Sequence, residues 1–498
     1  MNRTLLPACL LLITAAAVPA GDPPSRDAVV AGLRKATAFY QGTVAKHGGY
    51  VYSYSADLTL SEGEGTTGET MIWVQPPGTP AVGEAFLDAW KATGDDAHLA
   101  AARDAGRALV LGQLQSGGWF YSIEFDPELR RKLAYRLDLD GKPLPNRVPL
   151  KDQEISGGWD VWKRRPYKDN VSTFDDDVTQ AATRFLIRLD QALDFKDDAV
   201  HHAALLALTA LRRTQYPNGG WSTNFDRLHD HPPSAADYPV TPANYPESWP
   251  RTWPKDFTGC YVTNDDLVAD MIDTLLLAGD VYDDEQFLEA AKRAGDFLLL
   301  AQMPDPQPAW AQQYDKQMQP CWSRAFEPPA ISGGESQRII AALMRLHRAT
   351  GDDRYLAPIP KAIDYLRASL RDDGRLARFY ELKSNRPLYF TRQDGRYAMT
   401  YDDDRLASGY GYVVDSDLDA LDAEYRRIKN GVKSLRMEND DLVDKIRTIL
   451  DAQDGRGAWV EPGRLRHHKV EPPGGIIDSA TFAANVDALC KYLDAIDE

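Results

Sequence analysis

Consecutive aspartates are the clearest sign of chemistry in this sequence. Asp175, Asp176 and Asp177 follow one another directly, and Asp265 and Asp266 form a second acidic group. One carboxylate is enough to cap a helix, for about 1 kcal/mol, so adjacent carboxylates repel each other unless a positive charge lies nearby. Their oxygens suit Ca²⁺ or Mg²⁺ rather than zinc. We therefore predict a divalent cation site here, with simple N-capping as the alternative.

Aromatic, amide and basic residues form a second candidate group. Trp221 follows a glycine turn and Tyr314 follows two glutamines, and such side chains can stack on sugar rings and bond their hydroxyls. Arg378, Asn385 and Arg386 lie in a stretch rich in arginine and tyrosine, which fits a surface that reads carboxylates. We predict all five as substrate-binding residues. The alternative for the tryptophan is that it fills the turn between two helices.

These residues belong to a repeated pattern of an acidic turn, an amphipathic helix and a turn closed by an aromatic. From the first aspartate of the turn to the aromatic, the spacing is 24 residues in two units and 27 in two others. Each helix carries one apolar stripe of helical period and cannot bury it alone, which is typical of stacked helix pairs. The four units span Gly94–Trp119, Asp197–Trp221, Asp283–Trp310 and Gly351–Phe379.

A second helix is predicted upstream of each acidic turn, over residues 84–92, 178–193, 267–277 and 336–350. The ends of the chain, at residues 31–40 and 440–452, resemble further degenerate units. The fold is therefore predicted to be all-α, an (α/α) toroid of repeated helix pairs with long loops and minor β structure. Because corresponding helices in a toroid run in the same direction, we expect the acidic starts at Glu84, Asp175, Asp265 and Glu335 to share one rim.

The N-terminal 20 residues have the features of a secretory signal peptide. An apolar run from Leu5 to Val18 is too short to span a bilayer and ends at small residues. We expect residues 21–498 to form a single toroidal catalytic domain, secreted or periplasmic, monomeric and not embedded in a membrane. The formal net charge of −17 argues against a nucleic-acid partner.

Cysteine usage sets a further limit. Cys9 leaves with the signal peptide, so the mature chain keeps Cys260, Cys321 and Cys490. An odd and sparse set of this kind is no disulfide framework. At most one bridge is expected, and the sequence leaves its existence open.

Several motifs occur together between about residue 40 and residue 410. They are Ser172-Thr173-Phe174-Asp175-Asp176-Asp177-Val178-Thr179, Tyr216-Pro217-Asn218-Gly219-Gly220-Trp221, Val262-Thr263-Asn264-Asp265-Asp266, Ala309-Trp310-Ala311-Gln312-Gln313-Tyr314-Asp315, Arg324-Ala325-Phe326-Glu327-Pro328-Pro329, and Arg378-Phe379-Tyr380-Glu381 with Ser384-Asn385-Arg386-Pro387. In this order they resemble the pectate lyases of polysaccharide lyase family 10. At one position, Asp176, the family motif has Asn.

The resemblance implies a wide groove, Ca²⁺ as cofactor and pectate (polygalacturonate) as substrate, cleaved by β-elimination with an arginine as the base. Carried over by position, it implies that Asp175 and Asp176 lie around the reacting subsite, together with Arg324 as the base. Arg378 and Arg386 are the alternative bases. It also implies calcium ligands, which we assign to Asp265, Asp175 and Asp266.

Three other functions fit parts of the sequence. A triterpene-cyclase-like protein would explain the two QxxxGxW motifs, Gln113–Trp119 and Gln215–Trp221, and the Phe174–Asp177 segment. A glycoside hydrolase on the same toroid could use Asp176 and Asp265 as acid and base. A non-catalytic pectin-binding module would have the acidic rim and the aromatics but no use for Arg324.

Overall fold

The computed structural model describes residues 22–131, 133–145, 171–228, 232–254, 260–432 and 439–497. The predicted signal peptide lies outside these ranges. None of the helices within them is both long and apolar enough to cross a bilayer.

The helices, in chain order, are α1 Arg26–Phe39, α2 Thr79–Thr93, α3 Asp96–Gly112, α4 Pro127–Arg130, α5 Val178–Ala192, α6 Asp198–Thr214, α7 Leu267–Tyr282, α8 Glu285–Ala301, α9 Gly333–Thr350, α10 Ile359–Ala368, α11 Leu418–Lys429, α12 Asn439–Ala452 and α13 Ser479–Asp497. A π-helical turn at Tyr40–Val44 extends α1, and 3₁₀ turns at Asp175–Asp177, Asn264–Asp266 and Asp353–Leu356 precede α5, α7 and α10.

The strands are short. They are β1 Ser53–Ser55, β2 Ser61–Glu62, β3 Met71–Trp73, β4 Ser122–Glu124, β5 Ser172–Thr173, β6 Asn224–Phe225, β7 Tyr261–Val262, β8 Gln313–Tyr314, β9 Ala330–Ser332, β10 Leu376–Ala377, β11 Phe379–Glu381, β12 Pro387–Gln393, β13 Arg396–Thr400, β14 Val413–Val414, β15 Val460–Glu461 and β16 Ile476–Asp478.

The helices form two layers. In the inner layer α2, α5, α7 and α9 pack side by side in sequence order, α13 packs on α2, and α11 packs on α9. In the outer layer α3, α6, α8 and α10 pack against the inner helices, while α1 and α12 both pack against α13 and so bring the chain ends together. This is the predicted α/α toroid, and α2, α5, α7 and α9 confirm the four upstream helices. Helices α11 and α13 add pairs that the repeat analysis does not contain.

The acidic turns of the repeat are N-caps of the outer helices. The Asp95 side chain accepts the amide of Ala97 at the start of α3, at 3.0 Å. Asp197 caps α6 and Asp284 caps α8 in the same way. Each side chain satisfies a backbone N–H that has no partner within the helix. The regular spacing in the sequence therefore reflects where each outer helix must begin.

A strand leads into most of the inner helices and fixes where each helix starts. β5 precedes α5 and pairs with β6, β7 precedes α7 and pairs with β8, and β9 precedes α9 and pairs with β11. In each case the partner strand follows the outer helix of the same unit. The N-terminal ends of α5 and α7 therefore lie beside two-stranded ribbons, and that of α9 lies beside a four-stranded sheet of order β13-β12-β11-β9.

Glutamines from the repeat motif fasten each outer helix to the next one. Gln113 Nε2 donates to its own turn at Gly117 O and to Ala203 O in α6, both at 2.8 Å. Gln215 repeats this arrangement with Ala290 O in α8, at 3.0 Å. Gln453, in a third QxxxGxW motif, reaches Gly32 O in α1 at 3.1 Å. The motif therefore links neighbouring outer helices and also joins α12 to α1.

The glycine of this motif is required by space. Gly219 has a φ of +93°, and a Cβ atom at that position would lie 1.9 Å from the carbonyl oxygen of Arg293 in α8. A left-handed residue with no side chain is therefore needed where the turn meets the next outer helix. The motif tryptophan closes the same turn, since Trp221 Nε1 donates to Leu211 O at 2.9 Å.

We expect Gln215→Ala to lower the free energy of unfolding by about 2 kcal/mol, because it removes two buried hydrogen bonds, from the side-chain amide to Gly219 O and to Ala290 O. Urea unfolding followed by circular dichroism would measure the change. Gln393→Ala, at an exposed site in β12, is the matched control and should unfold like the wild type. Equal stability of both variants would show that the glutamine contacts contribute nothing.

Candidate active site

Three aspartate side chains from two helix starts meet in one place. Carboxylate oxygens of Asp175, Asp176 and Asp265 lie within 4.8 Å of one another. Asp175 and Asp176 belong to the 3₁₀ turn before α5, and Asp265 belongs to the corresponding turn before α7. The packing of α5 against α7 brings these two turns together.

The two acidic turns have the same unusual backbone. Asp176 and Asp177 have φ values of 51° and 59°, and Asp265 and Asp266 have φ values of 48° and 60°. A left-handed conformation at a residue other than glycine costs on the order of 1 kcal/mol or more and is concentrated at functional sites. Because the turns are equivalent, Asp176 and Asp265 occupy the same position in neighbouring repeats, and both turn their side chains toward the same centre.

The cluster lines a cavity of about 460 Å³ with a polar wall. Tyr121 Oη donates to Asp175 Oδ2 at 2.9 Å, and the amide of Asn264 donates to Asp265. Only one of the lining residues is aliphatic. The lining consists of Glu64, Tyr121, Asp175, Asp176, Thr223, Asn224, Val262, Asn264, Asp265, Gln313, Ser323, Arg324, Glu327 and Tyr410.

Burial and mutual repulsion disfavour the ionised form of these aspartates. Removal from water, together with the charge of the neighbouring Asp175 carboxylate, raises the pKa of Asp176 to about 7 and that of Asp265 to about 8. The pKa of Asp175 is also raised, chiefly by burial. A site that gathers negative charge at this cost is suited to a cation, which would stabilise all three carboxylates at once.

Arg324 enters the same cavity from the loop that precedes β9. Its guanidinium contacts the buried carboxylate of Glu327, which also accepts the Arg324 backbone N–H at 3.0 Å. The hydroxyl of Tyr410 donates to Glu327 at 3.2 Å. Although burial alone would lower the pKa of Arg324, the bond to Glu327 and the nearby negative charges raise it. In this state Arg324 is a positive charge that faces the acidic cluster.

Glu335 and Arg378 form the next part of the rim. Arg378 Nη1 donates to Glu335 Oε1 at 3.0 Å, and Ser332 and Gln312 also donate to this buried carboxylate. The charge of Glu335 contributes to the raised pKa of Asp265. Arg378 therefore lies at the edge of the site, where its guanidinium also stands 5.0 Å from the centre of the Tyr410 ring.

Other predicted residues lie elsewhere. Asp266 is outside the carboxylate cluster and its nearest cation is Arg338, at 3.7 Å. Glu84 was expected on the acidic rim but lies within α2, where it pairs with Arg188. Thus three of the four predicted acidic starts share the rim, because α2 begins at Thr79 and places Glu84 further along the helix.

The predicted sugar-stacking aromatics are core residues. Trp221 and Tyr314 are both fully buried, and Tyr314 Oη donates to Ala301 O at 2.7 Å. Asn385 is tied to Gln307 and Tyr365. Arg386 lies 3.5 Å above the ring of Tyr401 and does not line the cavity. The tryptophan thus follows the alternative role of filling a turn, because its indole N–H is needed to end the outer helix.

Some cavity residues were not singled out from the sequence. Glu64 comes from the loop after β2, and Tyr410 comes from the loop before β14. These segments lie outside the acidic turns. Glu327 carried a detectable signal, because it stands three residues after Arg324 in the same motif.

Comparisons with known proteins bear on the same region. Residues 262–352, from β7 to the end of α9, match the protein-family model described as Pectic acid lyase. The matched segment contains Asp265, Arg324 and Glu335 and supports a polysaccharide lyase, an enzyme that acts on polysaccharides. No curated protein matches the chain significantly.

Solved structures with a similar arrangement have several activities. A mutant of the family 10 polysaccharide lyase from Cellvibrio cellulosa in complex with trigalaturonic acid is 18% identical over 71% of this chain and 99% of its own, with a TM-score of 0.41. Cellobiose 2-epimerase from Bacillus thermoamylovorans is 12% identical over 94% and 100%, with a TM-score of 0.47. The α-1,6-mannanase GH76A from Salegentibacter sp. is 14% identical over 94% and 99%, with a TM-score of 0.41. Because these three proteins have different activities, their similarity does not identify a reaction for this chain.

The raised pKa values lead to a stability prediction. In metal-free buffer the folded-state pKa of Asp265 is about 8, above the ordinary value of about 4. Its contribution to stability is therefore complete below about pH 4 and is lost as the pH rises through 8. Asp265→Asn cannot ionise, so at pH 9 we expect it to be more stable than the wild type by on the order of 2 kcal/mol.

Chemical unfolding between pH 4 and pH 9 with a chelator present measures this difference. Asp404→Asn, on an exposed loop, is the control and should follow the wild-type curve at every pH. Parallel curves for the wild type and Asp265→Asn would mean that neither burial nor the neighbouring charges raise the pKa of Asp265.

Proposed function

We propose that this protein is a pectate lyase that cleaves α-1,4-polygalacturonate by calcium-assisted β-elimination and leaves 4,5-unsaturated oligogalacturonates. The supporting observation is the meeting of three carboxylates within 4.8 Å in a polar cavity that also contains Arg324. The family-model match over residues 262–352 agrees with this reaction class. The substrate is an anionic polymer, so an acidic protein needs both a bridging cation and basic side chains to hold it.

The residues fit Ca²⁺. Asp175, Asp176 and Asp265 offer hard oxygen donors, and Oδ1 of Asn264 and Oδ1 of Asn224 in the same cavity are buried and accept no hydrogen bond from the described residues. Asp175, Asp176 and Asp265 would hold the ion. When bound, Ca²⁺ supplies Lewis-acid stabilisation of the negative charge that develops on a uronate carboxylate.

Elimination removes the proton at C5 of a galacturonate and breaks the bond from C4 to the glycosidic oxygen, so that a C4–C5 double bond forms and the departing oxygen takes up a proton from water. In this proposal Arg324 accepts the C5 proton, since it lines the cavity beside the acidic cluster. The field of Asp175 and the bond to Glu327 raise the pKa of Arg324. Charge neutralisation of the aspartates would weaken that field and allow Arg324 to lose its proton more readily, which predicts an alkaline optimum.

The geometry favours this reading over the alternatives. Two-carboxylate hydrolysis uses a pair of carboxyl groups, whereas this cavity gathers a third, since Asp175, Asp176 and Asp265 all have oxygens within 4.8 Å of one another. A polyisoprenoid substrate needs an apolar wall, whereas Val262 is the sole aliphatic residue in the lining of this cavity. The QxxxGxW motifs are explained by the hydrogen bonds of their glutamines, which link neighbouring outer helices.

Calcium dependence gives the first functional test. We expect the purified mature protein to generate a conjugated, ultraviolet-absorbing product from polygalacturonate, and a chelator to abolish it. Asp265→Asn should lower kcat/KM by about 100-fold, because it removes a proposed cation ligand. Asp266→Asn is the matched control and should stay within about threefold of the wild type. New reducing ends without ultraviolet absorbance would identify a hydrolase instead.

The assignment of the base is tested separately. Arg324→Lys should lower kcat by about 1000-fold, as expected for loss of a positioned proton acceptor, while polygalacturonate binding in the presence of Ca²⁺ persists. Arg386→Lys, away from the cavity, is the matched arginine control and should retain activity. If Arg386→Lys lost turnover and Arg324→Lys kept full activity, the base would be Arg386 and not Arg324. Binding without any product from the wild type would identify a pectin-binding module.

A further inference from the structure

Two cysteines lie against each other at the edge of the candidate active site. The Sγ atoms of Cys260 and Cys321 are 2.8 Å apart. Cys260 is buried and Cys321 is partly buried. A disulfide bond has a length of about 2.05 Å, so a displacement of less than 1 Å would join these sulfurs. No other described cysteine is in contact with the pair, since Cys490 lies in α13.

The backbone on both sides of this pair is already fixed. Cys260 directly precedes β7, which pairs with β8 through Tyr261 and Tyr314. The N–H of Cys321 donates to Gln313 O at 3.2 Å, and Gln313 Nε2 donates to Cys321 O at 2.7 Å. These hydrogen bonds therefore hold the two cysteines close together without any bond between the sulfurs.

We propose that Cys260 and Cys321 form a disulfide bond in the mature protein and that Cys490 remains a thiol. In this step both thiols lose their protons and the pair gives up two electrons to an external disulfide, either of a thiol–disulfide oxidoreductase or of an oxidised small thiol. The acceptor is reduced to two thiols, and one S–S bond forms in the protein. An oxidising compartment, as expected for an exported chain, favours this product.

The bridge would join two parts of the site. Asp265 stands five residues after Cys260, in the 3₁₀ turn that follows β7. Arg324 stands three residues after Cys321. Two tryptophan hydrogen bonds also hold the Arg324 loop, from Trp322 to Pro250 O and from Trp253 to Ser323 O. A covalent link at Cys321 would fix the loop base and so limit movement of Arg324 relative to Asp265. The bridge would therefore serve a positioning role.

Burial affects when the bond can form. It raises the pKa of the Cys321 thiol, with a further contribution from Cys260. Little thiolate is then present at neutral pH in the folded protein, and the thiolate is the reactive form. Closure is expected during folding, before the sulfurs become buried. Once formed, the bond would be protected from reduction by the same burial.

A direct test is peptide mapping of the mature chain produced in an oxidising compartment. The protein is denatured, its free thiols are alkylated without reductant, and tryptic peptides are analysed by mass spectrometry. We expect the peptides that contain Cys260 and Cys321 to be linked and Cys490 to be alkylated. Three alkylated cysteines, or a link that includes Cys490, would overturn the proposal.

Thermal unfolding tests the consequence of the bond. The double variant C260S/C321S should have a Tm lower by about 5 °C, because the bond removes freedom from the 60 residues between the cysteines in the unfolded chain. Reductant present during unfolding should lower the Tm of the wild type and of the control C490S but not that of the double variant. Equal responses of all three proteins to reductant would contradict a structural bridge. Neither test depends on the reaction catalysed.

Discussion

Repulsion among carboxylates held close together is the constraint on which the site depends. Asp175, Asp176 and Asp265 are brought within 4.8 Å by turns that a flexible chain would avoid. Burial raises the pKa of all three, and the charge of Asp175 contributes to the raised pKa of Asp176 and Asp265, so the ionised cluster opposes folding. Such an arrangement persists only where the surrounding structure is stable enough to hold it, and it is most useful where a cation completes it.

The toroid supplies that stability through contacts repeated from unit to unit. Outer helices begin at aspartate caps and end at a buried tryptophan, and glutamines such as Gln215 bond them to the next helix. Short ribbons such as β7 and β8 then lead the chain into each inner helix. Each contact is worth only about 1 kcal/mol, but together they fix the positions of the helix starts. This framework holds the strained aspartates in their left-handed conformation.

Glu327 holds Arg324, the positively charged residue of the cavity, in place. Its buried carboxylate accepts from Arg324 and from Tyr410, and so joins the loop before β9 to the loop before β14. Since the same carboxylate raises the pKa of Arg324, it also controls how readily that arginine could act on a substrate. The balance between Glu327 on one side and the aspartates on the other sets the charge of Arg324.

The sequence by itself determined the repeating helix pairs, because apolar periodicity and helix-capping residues act over a few residues of chain. It also identified Asp175, Asp176, Asp265 and Arg324, which share the cavity. Tertiary structure alone decided that Trp221 and Tyr314 belong to the core and that Asp266, next to Asp265, turns away toward Arg338. It also brought Glu64 and Tyr410 to the cavity from distant loops. These outcomes depend on side-chain direction and on contacts between segments far apart in the chain, which residue types and spacing do not specify.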